Sequence, residues 1–365
     1  MAKSFNIEEL FNKIPKHNIR PDRAHPPVGI QNKYLSSVCL NLEPRYERVI
    51  NRTIDTKPFK VLDAPGMLDD YYLNLLDWNS SDLISIGLNE AVYVYNNQTK
   101  NVEEIYTCNA QSNYISSVKS NNNVVAIGLS DGNLVFYDLE KERVIVCKKY
   151  HDTRVSSLSW NENILSSGDK KGRLINFDVR TNTHELLLGH TQEICGLEWS
   201  EDRKFLASGG NDNDIRVWKL GHSSSRLLRG HKSAVRALAW CPWRSATLAS
   251  GGGTKDKCIK FWDVLEERVE RSVETSSQVC SLNYLPKYKE LISSHGYTEN
   301  DIILWKASTM KKVISFGKHD SRVLHVALSP DKTVLASVSA DESLKFWRIV
   351  DKQKPSKKRD SVDVR

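Results

Sequence analysis

The chain has 365 residues, with 52 Lys/Arg against 45 Asp/Glu and a formal net charge of +7. Its seven scattered cysteines include no Cys-x-x-Cys pair, which indicates neither a zinc site nor a disulfide framework and fits a reducing compartment. No apolar run approaches the roughly 20 residues needed to span a bilayer, so no membrane partner is expected.

The charge is unevenly placed. Residues 1–57 hold ten Lys/Arg and six Asp/Glu, residues 351–365 hold six and three, and residues 58–350 balance at 36 of each. A balanced body is a poor sequence-independent binder of nucleic acid, since such binding needs excess cation to displace counterions. The two basic tails read as docking arms, and no nucleic-acid partner is expected.

In chain order, the first 20 residues, MAKSFNIEELFNKIPKHNIR, break their apolar positions with Glu8, Glu9 and Lys13, unlike a signal peptide. Asn6 with Glu9 makes a capping box and Phe5 with Leu10 a hydrophobic staple. Ile7, Leu10, Phe11 and Ile14 share one face before Pro15, which predicts a short docking helix.

From residue 58 to 350 the chain repeats. Aligning the similar segments places Tyr95, Tyr137, Phe177, Trp218, Trp262, Trp305 and Trp347 in register, with spacings of 42, 40, 41, 44, 43 and 42. That period matches WD-type repeats of about 40–45 residues, four strands to a blade. Short runs such as ICGLEW, KFLAS and DIRVW alternate with turn residues, and helical periodicity is absent. The expected fold is all-β, a seven-bladed WD-repeat β-propeller with N- and C-terminal tails.

Within the repeats, LASGGNDNDIRVW (206–218) resembles a glycine-rich phosphate loop at first sight. Its Asn-Asp-Asn instead reads as a tight turn between antiparallel strands, and no Gly-x-x-x-x-Gly-Lys-Ser/Thr leads into a helix. No nucleotide or other cofactor is expected. His190, Ser208 and Asp212 could imitate a hydrolase triad, but His231, Ser250, Asp256 and His319, Ser337, Asp341 repeat it, each Asp six residues before its Trp. A catalytic centre needs one such set. The three copies resemble the WD-repeat pattern in which His, Ser/Thr, Asp and Trp form a hydrogen-bonded strut inside each blade, which satisfies buried polar groups; the chain is therefore expected not to be an enzyme and to hold no metal. The third repeat keeps His151 but has Lys171 at the Asp position; the sixth has Glu299 and no Gly-His, so both must be pinned otherwise.

The last repeat supplies only three strands before the charged tail. Its outer strand is expected from residues 59–62 at the other end of the body, closing the ring without an exposed edge.

Several strings exceed what the fold demands: KPFKVLDAPGMLDDYYLNLLDW (57–78), SGGNDND (208–214), AWCPWRSATLASGGGTKD (239–256), SSQVCSL (276–282), YKELISSHGY (288–297), SRVLHVALSPD (321–331) and SADESLKFW (339–347). Together they resemble the Fizzy and Fizzy-related (Cdc20-type) activators of the anaphase-promoting complex, a ubiquitin ligase, and YKELIS with Thr309-Met310-Lys311-Lys312-Val313 leans toward the Fizzy branch. The resemblance implies a nuclear and cytoplasmic adaptor, which holds ligase subunits, degron-bearing cell-cycle proteins and spindle-checkpoint proteins.

Carried over by motif, Asp63 and Glu342 fall where the family grips the arginine of the destruction box, Arg-x-x-Leu. Asp70, Asn211, Asn213, Thr254, Gln278 and Arg322 fall in its Lys-Glu-Asn pocket. Arg322 is suited to the glutamate, Asp70 to the lysine, and the amides and hydroxyl to the asparagine. The family docks on the ligase through a C-box, Asp-Arg-Tyr/Phe-Ile-Pro-x-Arg, and a terminal Ile-Arg. Here DRAHPPV (22–28) keeps Asp22, Arg23 and Pro26, while Ala24, His25 and Val28 depart. The chain ends Val364-Arg365, one methylene short, worth roughly 0.8 kcal/mol if buried. The domain plan is therefore a docking tail at 1–57, a propeller at 58–350 and a basic tail at 351–365. The departures at 22–28 leave an alternative, a propeller scaffold or inhibitor that has lost ligase docking.

Overall fold

The computed structural model describes residues 54–108 and 112–350. The expected docking helix, the 22–28 segment and Val364-Arg365 lie outside them. Seven four-stranded antiparallel sheets are arranged as the blades of a propeller. The seven aligned aromatics all sit on the third strand of a blade: Ala91–Asn96, Asn133–Asp138, Arg173–Asp178, Ile215–Lys219, Cys258–Asp263, Ile302–Lys306 and Ser343–Arg348.

Burial falls from the ring's centre outward, and the sequence shows why. The innermost strand of blade 5, Val235–Trp240, is VRALAW and wholly buried, because neighbouring blades cover both its faces. The outermost, Arg268–Glu274, is RVERSVE and mostly exposed. Lys60–Asp63 pairs antiparallel with Ser343–Arg348, Lys60 opposite Phe346 and Asp63 opposite Ser343, so the beginning of the body completes blade 7. The strand begins one residue later than expected, although Phe59 N–H still donates to Phe346 O at 2.9 Å. Phe346 also packs edge-on against Trp78 of blade 1, with ring centroids 5.9 Å apart, so the seam is sealed by packing as well as by hydrogen bonds.

The repeated triads are struts. In blade 4, Trp218 Nε1–H donates to Ser208 Oγ (2.9 Å), Ser208 meets His190 Nε2 (2.9 Å), and His190 Nδ1 meets Asp212 (3.0 Å). Blades 5 and 7 repeat this through Trp262, Ser250, His231 and Asp256, and through Trp347, Ser337, His319 and Asp341. All three histidine side chains are fully buried. Burial pulls the His231 and His319 pKa values below the ordinary range, against the pull of their aspartates. Burial opposes charge on Asp212 and Asp256 too, but the histidine bonds prevail and hold both carboxyls low. The neutral ring with Nδ1–H toward the carboxylate is the tautomer this network requires.

Blades 3 and 6 fill the same space from another place in the chain, and each completes only part of the strut: blade 3 has Phe177 in place of the tryptophan, and His295 Nδ1 in blade 6 meets no partner among the described residues. His151 Nδ1 meets Asp169 (3.1 Å) and its Nε2 meets Ser167 (2.8 Å), so Asp169, eight residues before Phe177, replaces the aspartate expected at Lys171. Asp169 is opposite Val155 in its blade, as Gly210 is opposite Ile194 in blade 4. A Cβ built on Gly210 would lie 2.4 Å from Asp212 Oδ1 and 2.6 Å from His190 Nδ1. A side chain at this position therefore enters the space that Asp212 fills from the loop. In blade 6 His295 holds the same position, and its Nε2 meets Ser293 Oγ (2.7 Å), which accepts from Trp305 Nε1 (2.7 Å).

Six innermost strands carry a β-bulge near their start, which inserts one extra residue: Ser116, Ser156, Cys195, Arg236, Cys280 or Leu324. Arg236 uses its bulge to span the central channel, donating to Leu73 O (2.6 Å), Cys280 O (2.9 Å) and Leu324 O. Asn74 donates to Ser156 O (2.7 Å) and Cys195 O (2.8 Å) and meets His325 Nε2 (3.0 Å). These two side chains tie six blades together across the axis.

Candidate functional site

One residue precedes the first core residue of each innermost strand, and the seven such positions form a rim: Tyr72, Tyr114, Arg154, Glu193, Ala234, Gln278 and Arg322. Backbone bonds link this rim to the turns between second and third strands. Asn211 N–H donates to Glu193 O, Gly253 to Ala234 O, Gly296 to Gln278 O and Ala340 to Arg322 O. The turns bearing Asn211, Asn213, Thr254 and Glu342 therefore surround the same end of the ring. Asp63, opposite Ser343 in the closing strand, stands beside them. All eight residues expected from sequence lie at this end.

Their contacts differ. Arg154 grips Glu193 bidentately (2.6 and 2.7 Å) and reaches Asp70 Oδ2 (2.8 Å). Burial works against the Arg154 charge, but its bonds to Glu193 and Tyr114 and the Asp70 charge outweigh this and hold the guanidinium pKa above its usual value. Tyr72 O–H donates to Asn211 Oδ1 (2.9 Å), and Asn211 Nδ2 donates to Gln192 (2.8 Å). Burial, chiefly, raises the Tyr72 pKa and keeps the phenol a donor. Arg322 donates to the Asp69 carboxylate and to the Asp69 carbonyl, while Tyr297 O–H donates to the other Asp69 oxygen (3.1 Å).

Gln278 and Arg322 are neighbours across Gly296, where an added Cβ would lie 2.8 Å from Gln278 Oε1 and 3.4 Å from Arg322 Cβ. Asn213 takes the left-handed backbone that its turn demands (φ 69°), and Thr254 is exposed. No side-chain hydrogen bond among the described residues joins either of them to the others. Glu342 is also left-handed (φ 58°); its Oε1 accepts from Gly66 N–H (3.0 Å) and its carbonyl from Ala64 N–H (2.7 Å). This clamps the 63–66 loop and leaves Asp63 exposed beside it. Leu62, one residue earlier, is half-buried against the cluster containing Leu344 and Phe346.

Sequence reasoning missed Asp69, Tyr297, Arg154, Glu193 and Tyr72. For three of these a signal existed: Arg154, Glu193 and Tyr72 occupy the same repeat position as Gln278 and Arg322, immediately before the first core residue. A cavity of about 290 Å³, lined by Lys119, Glu198 and Arg236 among others, contains none of the eight expected residues. The site is a surface: carboxylates, amides and cations alternate around a rim and fit a short polar peptide better than a small apolar molecule.

Residues 62–347 match the CDC20/Fizzy WD40 domain model. The chain is 41% identical over 86% of its length to the Dictyostelium discoideum "Anaphase-promoting complex subunit cdc20", covering 65% of that protein. It is 41% identical over 82% of its length to the Schizosaccharomyces pombe "WD repeat-containing protein slp1", covering 63% of it. It is 40% identical over 93% of its length to the Arabidopsis thaliana "Cell division cycle 20.5, cofactor of APC complex", covering 75%. The chain thus spans just under two thirds of the first two relatives. A chain in the crystal structure of a mitotic checkpoint complex superposes with a TM-score of 0.80 at 40% identity, covering 88% of this chain and all of that one. On the matched domain and these identities, the chain belongs to the CDC20/Fizzy family of WD40 proteins.

Proposed function

We propose that this protein is a non-catalytic adaptor of the anaphase-promoting complex that recruits cell-cycle substrates by their short degradation signals. The Lys-Glu-Asn box is read by Asp70, Asn211, Asn213, Thr254, Gln278 and Arg322, and the arginine of the destruction box by Asp63 and Glu342. The observation that carries this reading is the convergence of all eight residues, from five blades, on one end of the ring. Exposed ion pairs are individually weak, about 0–1 kcal/mol, so affinity comes from several contacts at once or from two motifs on one substrate. Spindle-checkpoint proteins join the proposed partners because the structural match is a chain of a checkpoint assembly. The struts in blades 4, 5 and 7 support the absence of catalysis, since their histidines are sealed inside the blades.

The test is binding of Lys-Glu-Asn and Arg-x-x-Leu peptides to wild type, Arg322→Ala and Asp63→Ala. Loss of one such contact should weaken one motif roughly two- to fivefold and spare the other. Arg322→Ala should affect the first peptide and Asp63→Ala the second; equal effects on both sink the two-site assignment.

The departures at Ala24, His25 and Val28 favour a second reading, a propeller scaffold or inhibitor without ligase docking. Co-purification with ligase subunits, lost on mutating Arg23 or removing Val364-Arg365, selects the adaptor; no co-purification selects the scaffold.

A further inference from the structure

The cation assigned to the peptide's glutamate already has a carboxylate partner. Arg322 donates through Nε to Asp69 Oδ1 and through Nη2 to the Asp69 carbonyl, and its Nη1 has no partner among the described residues. The other Asp69 oxygen accepts from Tyr297 O–H at 3.1 Å, and the Tyr297 ring lies 5.5 Å from the guanidinium. The Asp69 side chain is 46% exposed and that of Arg322 14% exposed, so the acid sits on the outer side of the pair. Beside it, Asp70, assigned to the peptide's lysine, is likewise held by Arg154.

We infer that Asp69 is an internal competitor of the peptide's acidic residue and so sets the affinity and salt dependence of this pocket. The inference rests on the reading of Arg322 as the glutamate's partner. A guanidinium carries five N–H donors, so Arg322 has room for a second carboxylate through Nη1. Its single positive charge is already balanced, however, and an arriving glutamate meets Asp69 as a nearby like charge. Removing the charge, as in Asp69→Asn, keeps the Oδ1 acceptor for Arg322, turns an N–H donor toward the Tyr297 hydroxyl oxygen in place of the acceptor there, and relieves the repulsion. A role in merely orienting Arg322 predicts the opposite sign, or no change.

The experiment measures binding of a Lys-Glu-Asn peptide and its Lys-Gln-Asn counterpart to the full chain, as wild type, Asp69→Asn and Asp69→Ala, at low and high salt. Asp69→Asn should bind the first peptide roughly three- to tenfold tighter at low salt, with the gain shrinking at high salt and absent for the second peptide. Asp69→Ala should show a smaller gain, because it also frees Arg322. If wild type binds and Asp69→Asn is unchanged or weaker, the inference is overturned and the functional reading stands. If no form binds either peptide, the functional reading falls and takes the inference with it. Unaltered melting of both variants, expected for an exposed position, ensures that the comparison is between folded proteins.

Discussion

The struts inside the blades and the rim around the channel use the same chemistry with opposite results. Each joins carboxylates to nitrogen donors within hydrogen-bond distance, as His231 with Asp256 at 2.5 Å and Arg154 with Asp70 at 2.8 Å. In the struts the histidine side chains are sealed and every link of the chain from tryptophan to aspartate is made within one blade. On the rim the links cross between blades, and Asp69 and Asp70 keep part of their surface in water. Burial, then, decides whether a polar set is scaffold or exchangeable surface. Inside, an unmet partner costs about 1–3 kcal/mol, so the set is fixed; at the rim, water or a peptide replaces a partner at little cost.

This contrast can be broken most severely at the ring's seam. Deleting residues 1–63 removes Lys60–Asp63 and strips the outer edge from blade 7, whereas deleting 1–57 keeps that strand. The longer deletion should lose on the order of 5 kcal/mol or fail to fold, as read by denaturant unfolding. Equal midpoints for the two would show that the seam does not hold the ring.

Next comes the strut. A Cβ on Gly252 would lie 1.9 Å from Asp256 Oδ2. Gly252→Ala should therefore cost roughly 2–4 kcal/mol, with peptide affinity of the folded fraction unchanged. A drop in affinity without a drop in stability would erase the distinction between strut and rim.

Acid should act on the buried set at higher pH than a paired surface carboxylate would. His295 is pushed down to about 4, mainly by burial, with Asp301 pulling the other way. Its folded value thus lies below the unfolded histidine value of about 6.5, so the unfolded chain takes up the proton first. The stabilisation is complete above about pH 6.5 and is lost as pH falls toward about 4; His231 and His319 shift in the same direction. Stability should decline by roughly 1–3 kcal/mol across that window, and His295→Gln should flatten part of the slope. Melting temperatures that ignore pH there would show these imidazoles are not held neutral.

The smallest effect on stability belongs to the rim. Arg322→Ala should change unfolding by less than about 1 kcal/mol while weakening the Lys-Glu-Asn peptide. A large stability loss would move Arg322 into the scaffold.

The period of the aromatics was enough to find the third strand of all seven blades, because Trp305 or Tyr95 must recur wherever a strand returns to the same depth. The missing fourth strand of the last repeat pointed to the seam to within one residue. Asp169 and His295 escaped because a one-dimensional alignment counts residues to the aromatic, whereas the blade counts access to a volume. A side chain at the Gly210 position reaches that volume from a different place in the chain. Asp69 and Tyr297 escaped for another reason: Asp69 and Arg322 are 253 residues apart, and nothing local in GMLDDYY announces the pairing.

Arg236 and Asn74, laced across the axis, make the ring a bowl and not a pipe. On the proposed reading, an extended partner cannot be threaded through such a bowl: it is laid on one mouth and lifted off the same way, with both of its ends outside while the middle is held.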